Sequence, residues 1–414
     1  MKIEANLRHV IYALSDALDL VGIDDVDHGK RVGIMAAECG RVLGLPEDEC
    51  TALFDLGMLH DIGVSSTETH RNLVGEFAWA GADEHCEQGY LLLRDFLPLA
   101  WMAEPVRHHH ALWKDLVGLG LDPGVAFKAN LIHMVDRADM LGATYLADNS
   151  VFMHAEEIRE RIGTLSGSYF APELVTAFLE ASKSEAFWLA LEQRSIQGYL
   201  WGQLSQEGGY EASLPDLKQL ARIFSHIVDA KSTFTAEHSL GVANLSRLIG
   251  AKMGVSPVNC DKLEIAGLLH DLGKLRVPDE ILDKPGRLDG RERQIISTHS
   301  FETYKILRNI KGFEEIAPWA AYHHEAPGGS GYPFRLKAEE LALEPRILRA
   351  ADIFQAMVQD RPYRRGLSGE AAIAHLRGME AQGEMEGALI DSIEAMLPEA
   401  MAAALPSKAR GSAG

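Results

Sequence analysis

Apolar residues recur at three- and four-residue intervals along most of the chain, and strand-type alternation is scarce. This pattern predicts an all-α fold. Leu7, Val10, Ile11, Leu14 and Leu18 form one stripe of an amphipathic helix over 1–21. A helix from about His28 to Leu43 follows, with Asp25 or Asp27 as its cap, Gly44 at its C-terminal cap and Pro46 blocking continuation. From Glu47, an apolar face of Leu53, Leu56 and Leu59 leads to His60-Asp61, then Ile62-Gly63-Val64 and a polar loop, SSTETH. Further helices are predicted near Asp83–Leu93 with His85, near Leu99–His110 ending in Arg107-His108-His109-His110, and from Gly124 with His133 and Asp136. Residues 150–200 are helical in pattern and hold no histidine cluster.

The polar, glycine-bearing stretch from Ser205 to Ser213 has linker composition. It suggests an N-terminal domain over 1–205, a linker over 206–213, a second domain over 214–400 and a mobile tail over 401–414. In the second domain, helices are predicted from Asp216 to Ala230, from about Phe234 to Met253 with His238, and from Lys262 to His270. An extended stretch over 275–289 separates these from a helix beginning at Gly290 that carries His299. Ile316–His324 is another helix, followed by a loop too rich in glycine and proline to be helical. Ile347–Met357 carries Asp352, and 369–397 forms a last helix or helix pair.

At 414 residues and 47% hydrophobic content the chain can bury two or three cores. The formal net charge of -20 disfavours a nucleic-acid polymer, which needs a cationic surface. It leaves room for a small phosphorylated ligand held by metals and local arginines. Cys39, Cys50, Cys86 and Cys260 are scattered, without CxxC spacing, as expected of reduced thiols. No secretory signal and no run of eighteen apolar residues is seen, so a cytoplasmic location without membrane insertion is expected.

Histidine and aspartate change the picture. His238 to His270 spans 32 residues, as does His28 to His60; His299 to His323 spans 24, as does His85 to His109. His270 to His299 is 29 against 25, and His323 to Asp352 is 29 against 27. Each half therefore repeats the order H, HD, H, HH, D, with length differences where loops are predicted. Imidazole and carboxylate suit Mn, Fe, Zn or similar divalent ions. In the second half, Asp271 would bridge two of them, with His238, His270 and Asp352 on one and His299, His323 and His324 on the other. Two such ions roughly 3.5–4 Å apart hold a bridging hydroxide and clamp a phosphodiester for in-line attack. Lys274, four residues after His270, shares its face if the turn stays helical and is then a cation for a phosphate oxygen; a surface lysine is the alternative.

These residues, with HDLGKLRVPDEILDKPGRL from His270, THS at His299, YHHE through His324, GSGYP, RILRAADIFQAM and DRPYRR, give the C-terminal half a resemblance to the HD-GYP domains. Those are all-α, metal-dependent phosphodiesterases of cyclic dinucleotides. The resemblance implies metal ligation by His238, His270, Asp271, His299, His323, His324 and Asp352, and catalytic roles for Asp271 and Lys274. It implies substrate contacts by Lys274, by the loop Gly331-Tyr332-Pro333, and by Arg361 and Arg364. It also implies hydrolysis of cyclic di-GMP or 3',3'-cyclic GMP-AMP, to the linear dinucleotide or mononucleotides, with Fe, Mn or another transition metal. The chain departs from the family where HHEAPGGSGYP lacks the usual tryptophan and aspartate. Phe234 stands where some members place a third-metal glutamate, which favours two ions.

The N-terminal half resembles a diverged copy within the HD superfamily, so the whole is a tandem of HD-type helical domains. It keeps His28, His60, Asp61, His85, His109, His110 and Asp136, with Asp24 as an additional carboxylate, and so has a second, metal-binding set. His108 leaves the register of its double histidine open by one. Val64 replaces the lysine and no GYP loop follows, so stabilisation, dimerisation, regulation or a separate phosphoester substrate all remain for this half. A homodimer is compatible with the sequence. Two other functions stay open for the chain: a phosphohydrolase of another nucleotide phosphate, and a cyclic-dinucleotide sensor without turnover.

Overall fold

The computed structural model describes residues 5–22, 27–77, 79, 81–204, 211–231, 238–360 and 364–406. Helices make up nearly all of the regular structure. The two named strands among the described residues are Ala5–Asn6 and Glu211–Ala212, which pair antiparallel with Ala5 opposite Ala212. The chain folds as two compact units, Leu7–Tyr210 and Glu211–Gly414, and the strand Ala5–Asn6 belongs to the second. No helix among the described residues is long and apolar enough to cross a membrane.

Within the N-terminal unit, the helices His28–Val42 and Glu47–Leu59 pack most intimately. Their contact depends on small residues: a Cβ on Gly57 would stand 2.5 Å from the Cα of Gly33. The helices Ala82–Leu93, Ala103–Arg107 and Pro123–Ala147 complete the layer that carries the histidines. Pro172–Ala181 also packs on His28–Val42, and Phe170, Phe178 and Trp188 fill the core beneath the last helices. The Trp188 indole N–H donates to the carbonyl of Ser182 at 2.9 Å, which pairs its one polar atom.

The C-terminal unit repeats the arrangement. His238–Lys252 crosses Pro257–Leu269, and a Cβ on Gly267 would stand 2.7 Å from the Cα of Ala243. Gly290–Leu307, Ile316–Ala321 and Leu343–Val358 supply the remaining histidines and Asp352, and Gly369–Ala381, Gly387–Glu394 and Leu397–Ala404 close the unit. Asp289 caps Gly290–Leu307 with a full capping box, its carboxylate accepting from the Glu292 N–H at 2.9 Å.

Several local expectations change. The polar SSTETH stretch enters a helix, Thr67–Gly75, because the Ser66 hydroxyl accepts from the Thr69 N–H at 3.0 Å. Asp27 does stand at the cap position of its helix, but in the left-handed region (φ 71°), and its carboxylate pairs with Lys30 at 2.9 Å instead of capping. The stretch 275–289, expected to be extended, contains the end of a 3₁₀ turn over Leu272–Arg276 and a short helix at Asp279–Leu282. The last helix runs through a buried Ala404, inside the segment expected to be mobile. Most of the expected linker, and Phe234, lie outside the described residues.

The close crossing at Gly267 generates a stability prediction. In an unconstrained helix Gly→Ala would gain about 1 kcal/mol. Here the added methyl meets backbone, so Gly267→Ala should instead cost about 1–3 kcal/mol, read as a lower denaturation midpoint.

Candidate metal centres

Seven predicted ligands of the C-terminal unit converge on one buried point, and the helix ends explain how. His270 terminates Pro257–Leu269, and Asp271 begins the 3₁₀ turn that follows. Gly273 then lies so close to the next helix that a Cβ would come 2.1 Å from the His299 carbonyl oxygen. The Gly273 N–H donates to the Thr303 hydroxyl at 2.9 Å, and that hydroxyl donates to the His270 carbonyl at 3.1 Å. The turn bearing His270-Asp271 is thereby fastened to the helix bearing His299. The N-terminal unit has the same approach, with a Cβ on Gly63 reaching 2.0 Å from the His85 carbonyl oxygen.

Asp271 faces two groups of imidazoles. Its Oδ2 lies 3.5 Å from His238 Nε2 and 3.2 Å from His270 Nε2. Its Oδ1 lies 3.4 Å from His299 Nε2 and 4.0 Å from His323 Nε2. Asp352 Oδ1 is 3.3 Å from His238 Nε2 and 3.9 Å from His270 Nε2. His324 stacks near this second group, its ring centre 4.0 Å from that of His323. One carboxylate thus stands between a His238–His270–Asp352 group and a His299–His323–His324 group.

The N-terminal unit builds the same figure. Asp61 Oδ2 lies 3.9 Å from His28 Nε2 and 3.5 Å from His60 Nε2, while its Oδ1 lies 3.2 Å from His85 and 3.6 Å from His109. Asp136 Oδ1 is 3.4 Å from His28 and 3.9 Å from His60. His108 points elsewhere, pairing with Glu104 at 3.4 Å, so the double histidine in register with His323-His324 is His109-His110. Asp24 lies outside the described residues.

Seven of the imidazoles are aimed by their other nitrogen, while His85 Nδ1 is buried without a hydrogen-bond partner. The Nδ1 atoms of His270 and His60 contact the carbonyls of Gly267 and Gly57, both at 2.7 Å. His299, His323 and His109 reach Ile296, Ala320 and Val106 in the same way, each at 2.6 Å. A carbonyl can only accept, so Nδ1 carries the proton and the Nε2 lone pair faces the cluster. His238 is held instead by the side chain of Gln355 at 2.6 Å, and Gln355 also donates to the Ala404 carbonyl at 3.4 Å. In the N-terminal unit Asp139 takes this place, 2.7 Å from His28 Nδ1 and doubly paired with Arg31 at 2.7 and 2.8 Å. Spacing could have found these supports, since Gln355 and Asp139 each lie three residues, one helical turn, beyond the ligand aspartate.

The donor set fits divalent cations. His270 Nε2 and Asp271 Oδ1 are buried and have no hydrogen-bond partner, and His60 Nε2 and Asp61 Oδ1 repeat the situation. Leaving such atoms unpaired costs about 1–3 kcal/mol each, which a bound cation removes. Protons partly stand in for it. Burial disfavours the charged form of His238, but Asp271 and Asp352 outweigh it and lift the group to about 10. Burial likewise opposes charge on Asp271, yet His270 and Lys274 hold its carboxyl well below the usual range.

The rims differ. Lys274 Nζ lies 2.5 Å from Asp271 Oδ2, and the corresponding Val64 is apolar and buried. Tyr332 covers His324 at a ring separation of 4.7 Å, and its N–H donates to the His324 carbonyl at 3.3 Å. Gly331 lies against the backbone of 324–326, and the Glu325 carboxylate accepts from the N–H groups of Phe334, Arg335 and Leu336 at 2.6–3.2 Å. Glu325 therefore pins the loop that follows Pro333. Arg349, which the sequence did not single out, lies one turn before Asp352; burial, opposed by Asp352, depresses its pKa. His133 holds that place in the N-terminal unit, its ring 5.5 Å from His110. Arg364 donates to the carbonyls of Ala356 and Met357 at 2.7 and 3.5 Å, and Arg361 lies outside the described residues.

A model of the HD domain matches residues 222–389. The chain is 34% identical over 393 residues to the 3'3'-cGAMP-specific phosphodiesterase 1 of Vibrio cholerae, an alignment covering 94% of this chain and 91% of that protein. The chain belongs to the HD-GYP family. Within the family, it is 33% identical over 190 residues to the cyclic di-GMP phosphodiesterase response regulator RpfG of Xanthomonas campestris, covering 45% of this chain and 47% of that one. A crystal structure described as a cyclic GMP-AMP-specific phosphodiesterase of Vibrio cholerae superposes on 98% of both chains with a TM-score of 0.65 at 24% identity, a likeness of fold. Both halves of this HD-GYP protein thus carry histidine–aspartate clusters able to hold divalent metals.

Because His238 is protonated at neutral pH in the metal-free protein, a cation must displace that proton. Metal uptake should therefore strengthen as pH rises and weaken as it falls. Titrating the stripped protein with Mn²⁺ in buffers of different ionisation enthalpy should show release of about one or more protons per C-terminal site.

Proposed function

We propose that this chain is a metal-dependent phosphodiesterase that hydrolyses a cyclic dinucleotide at the cluster built on His270-Asp271. The observation that carries the reading is the position of Asp271, whose two oxygens face two separate imidazole groups while Lys274 stands beside them. His238, His270 and Asp352 would hold one ion and His299, His323 and His324 the other, with Asp271 between. When bound, such a pair supplies an activated water and offsets charge on the phosphoryl oxygens.

The chain's own groups account for the rest. Lys274 is free to exchange its Asp271 contact for a non-bridging phosphate oxygen once that carboxylate is engaged by cations. Arg349 and Lys274 put two positive charges at a rim where the N-terminal unit has His133 and Val64. Tyr332, fixed on His324, offers an aromatic wall to a nucleobase. The buried imidazoles keep bulk water away from the reacting phosphate, which strengthens every charge interaction there.

Among substrates, 3',3'-cyclic GMP-AMP is the leading choice, because the relative aligned across both units carries that name, and cyclic di-GMP is the second. The N-terminal cluster, without the lysine and the GYP loop, is assigned metal binding in support of the catalytic unit.

Incubating the pure protein with Mn²⁺ or Fe²⁺ and each cyclic dinucleotide, then separating the products, tests the activity; intact substrate under every metal and redox condition refutes it. Asp271→Ala should abolish turnover and lower the metal content. Lys274→Met should keep the metal and lose about 10²–10³-fold in kcat. Asp61→Ala should lose metal while sparing most of the turnover, and an equal loss of turnover would move catalysis away from the His270-Asp271 cluster.

A further inference from the structure

The two clusters differ at one donor position. After His299 the C-terminal unit has Ser300, whose hydroxyl lies 3.3 Å from His299 Nε2. After His85 the N-terminal unit has Cys86 at the same place in the repeat. Its Sγ lies 3.8 Å from His85 Nε2, the nitrogen that faces Asp61, and 3.6 Å from His109 Nδ1, the nitrogen turned to the Val106 carbonyl, and the side chain is 2% exposed. His85, Cys86, His109 and His110 each offer a ligand atom, and these atoms all lie within 4.8 Å of one another.

Other cysteines are placed differently. Cys50 and Cys260 occupy equivalent positions ten residues before His60 and His270, and each donates to a backbone carbonyl, Leu45 at 3.7 Å and Val255 at 3.5 Å. That role recurs in both units and is structural. Cys86 has no thiol counterpart in the second unit. An independent sign of a missing ligand lies beside it: His60 Nε2 and Asp61 Oδ1 are buried, aimed into the same cluster and without a hydrogen-bond partner.

We infer that Cys86 is a sulfur ligand of the N-terminal cluster, which makes that site a mixed nitrogen–oxygen–sulfur centre for a thiophilic divalent ion such as Zn²⁺, chemically distinct from the nitrogen–oxygen centre of the C-terminal unit. The inference rests on the reading that the N-terminal cluster binds a cation. Thiolate donors select zinc and other soft metals, whereas an imidazole–carboxylate set accepts Mn or Fe as readily. On ligation the Cys86 S–H bond breaks heterolytically, the sulfur lone pair forms the bond to the cation, and the proton leaves to solvent. No electron is transferred. One chain would then hold two metal populations, each on the donors that suit it.

Cobalt tests this without reference to turnover. The full chain is stripped with a chelator and reloaded with Co²⁺, and its near-ultraviolet absorption and cobalt content are measured. The thiolate-to-cobalt charge-transfer band should appear in the unaltered chain, persist in Asp271→Ala and be lost in Cys86→Ser. A chain whose cobalt content falls in Asp61→Ala but which never shows the band binds metal there without sulfur, and the inference fails alone. Equal cobalt content with and without Asp61→Ala removes the N-terminal metal reading and the inference together. A transplant guards against a Cys86 variant that does not fold. Ser300→Cys should add a second band that Asp271→Ala removes, and a fully loaded Ser300→Cys chain without one shows that this position does not reach the ion.

Discussion

The carbonyl of Gly267, one helical turn before His270, accepts a hydrogen bond from the imidazole Nδ1. That single contact settles which ring nitrogen keeps its proton and so which one can bind a cation. It recurs at His60, His299, His323 and His109, always to a carbonyl three residues back. Aiming a histidine in this way costs no additional side chain, because the last carbonyls of a helix have no partner within it. His270, His60, His323 and His109 therefore sit where helices end, while His299 and Asp352 project from within Gly290–Leu307 and Leu343–Val358. His28 and His238 begin their helices, and there a side chain, Asp139 or Gln355, takes over the same task.

The close helix approaches serve the convergence of these ligands. Gly267 and Gly57 let two helices touch at the backbone, and Gly273 and Gly63 let the turn after each aspartate rest on the helix carrying the third histidine. A side chain at either place would push one group of imidazoles away from the other and leave the central carboxylate without its second set of partners. The glycine in the HD-x-G string is thus a packing requirement of the cluster.

The two units separate in electrostatics more than in geometry. In the N-terminal unit Asp139 is charged and paired with Arg31, and Arg137 holds the outer oxygen of Asp136 at 2.8 Å. The corresponding support in the C-terminal unit is the neutral Gln355. Positive charge in the N-terminal unit thus lies behind the ligands, while the C-terminal unit sets Lys274 directly against the central Asp271. Sulfur in one site and a hydroxyl in the other extend the same division.

The helical periodicity and the repeated H, HD, H, HH, D order by themselves determined the all-α class, the pairing of the two halves and most of the histidines and aspartates that cluster. They could do so because ligand chemistry and helical spacing are both local in the chain. What only the tertiary structure decided depended on neighbours distant in sequence. The hold of Gln355 on His238 joins residues 117 apart, and that of Asp139 on His28 joins residues 111 apart. The register of His109-His110 over His108 was decided by which rings face Asp61, and the proximity of Cys86 to His109 by how two helices pack. Short helices such as Thr67–Gly75 escaped the periodicity because a cap, not an apolar stripe, starts them. The pairing of Ala5–Asn6 with Glu211–Ala212 escaped it because two residues are too few to show a pattern.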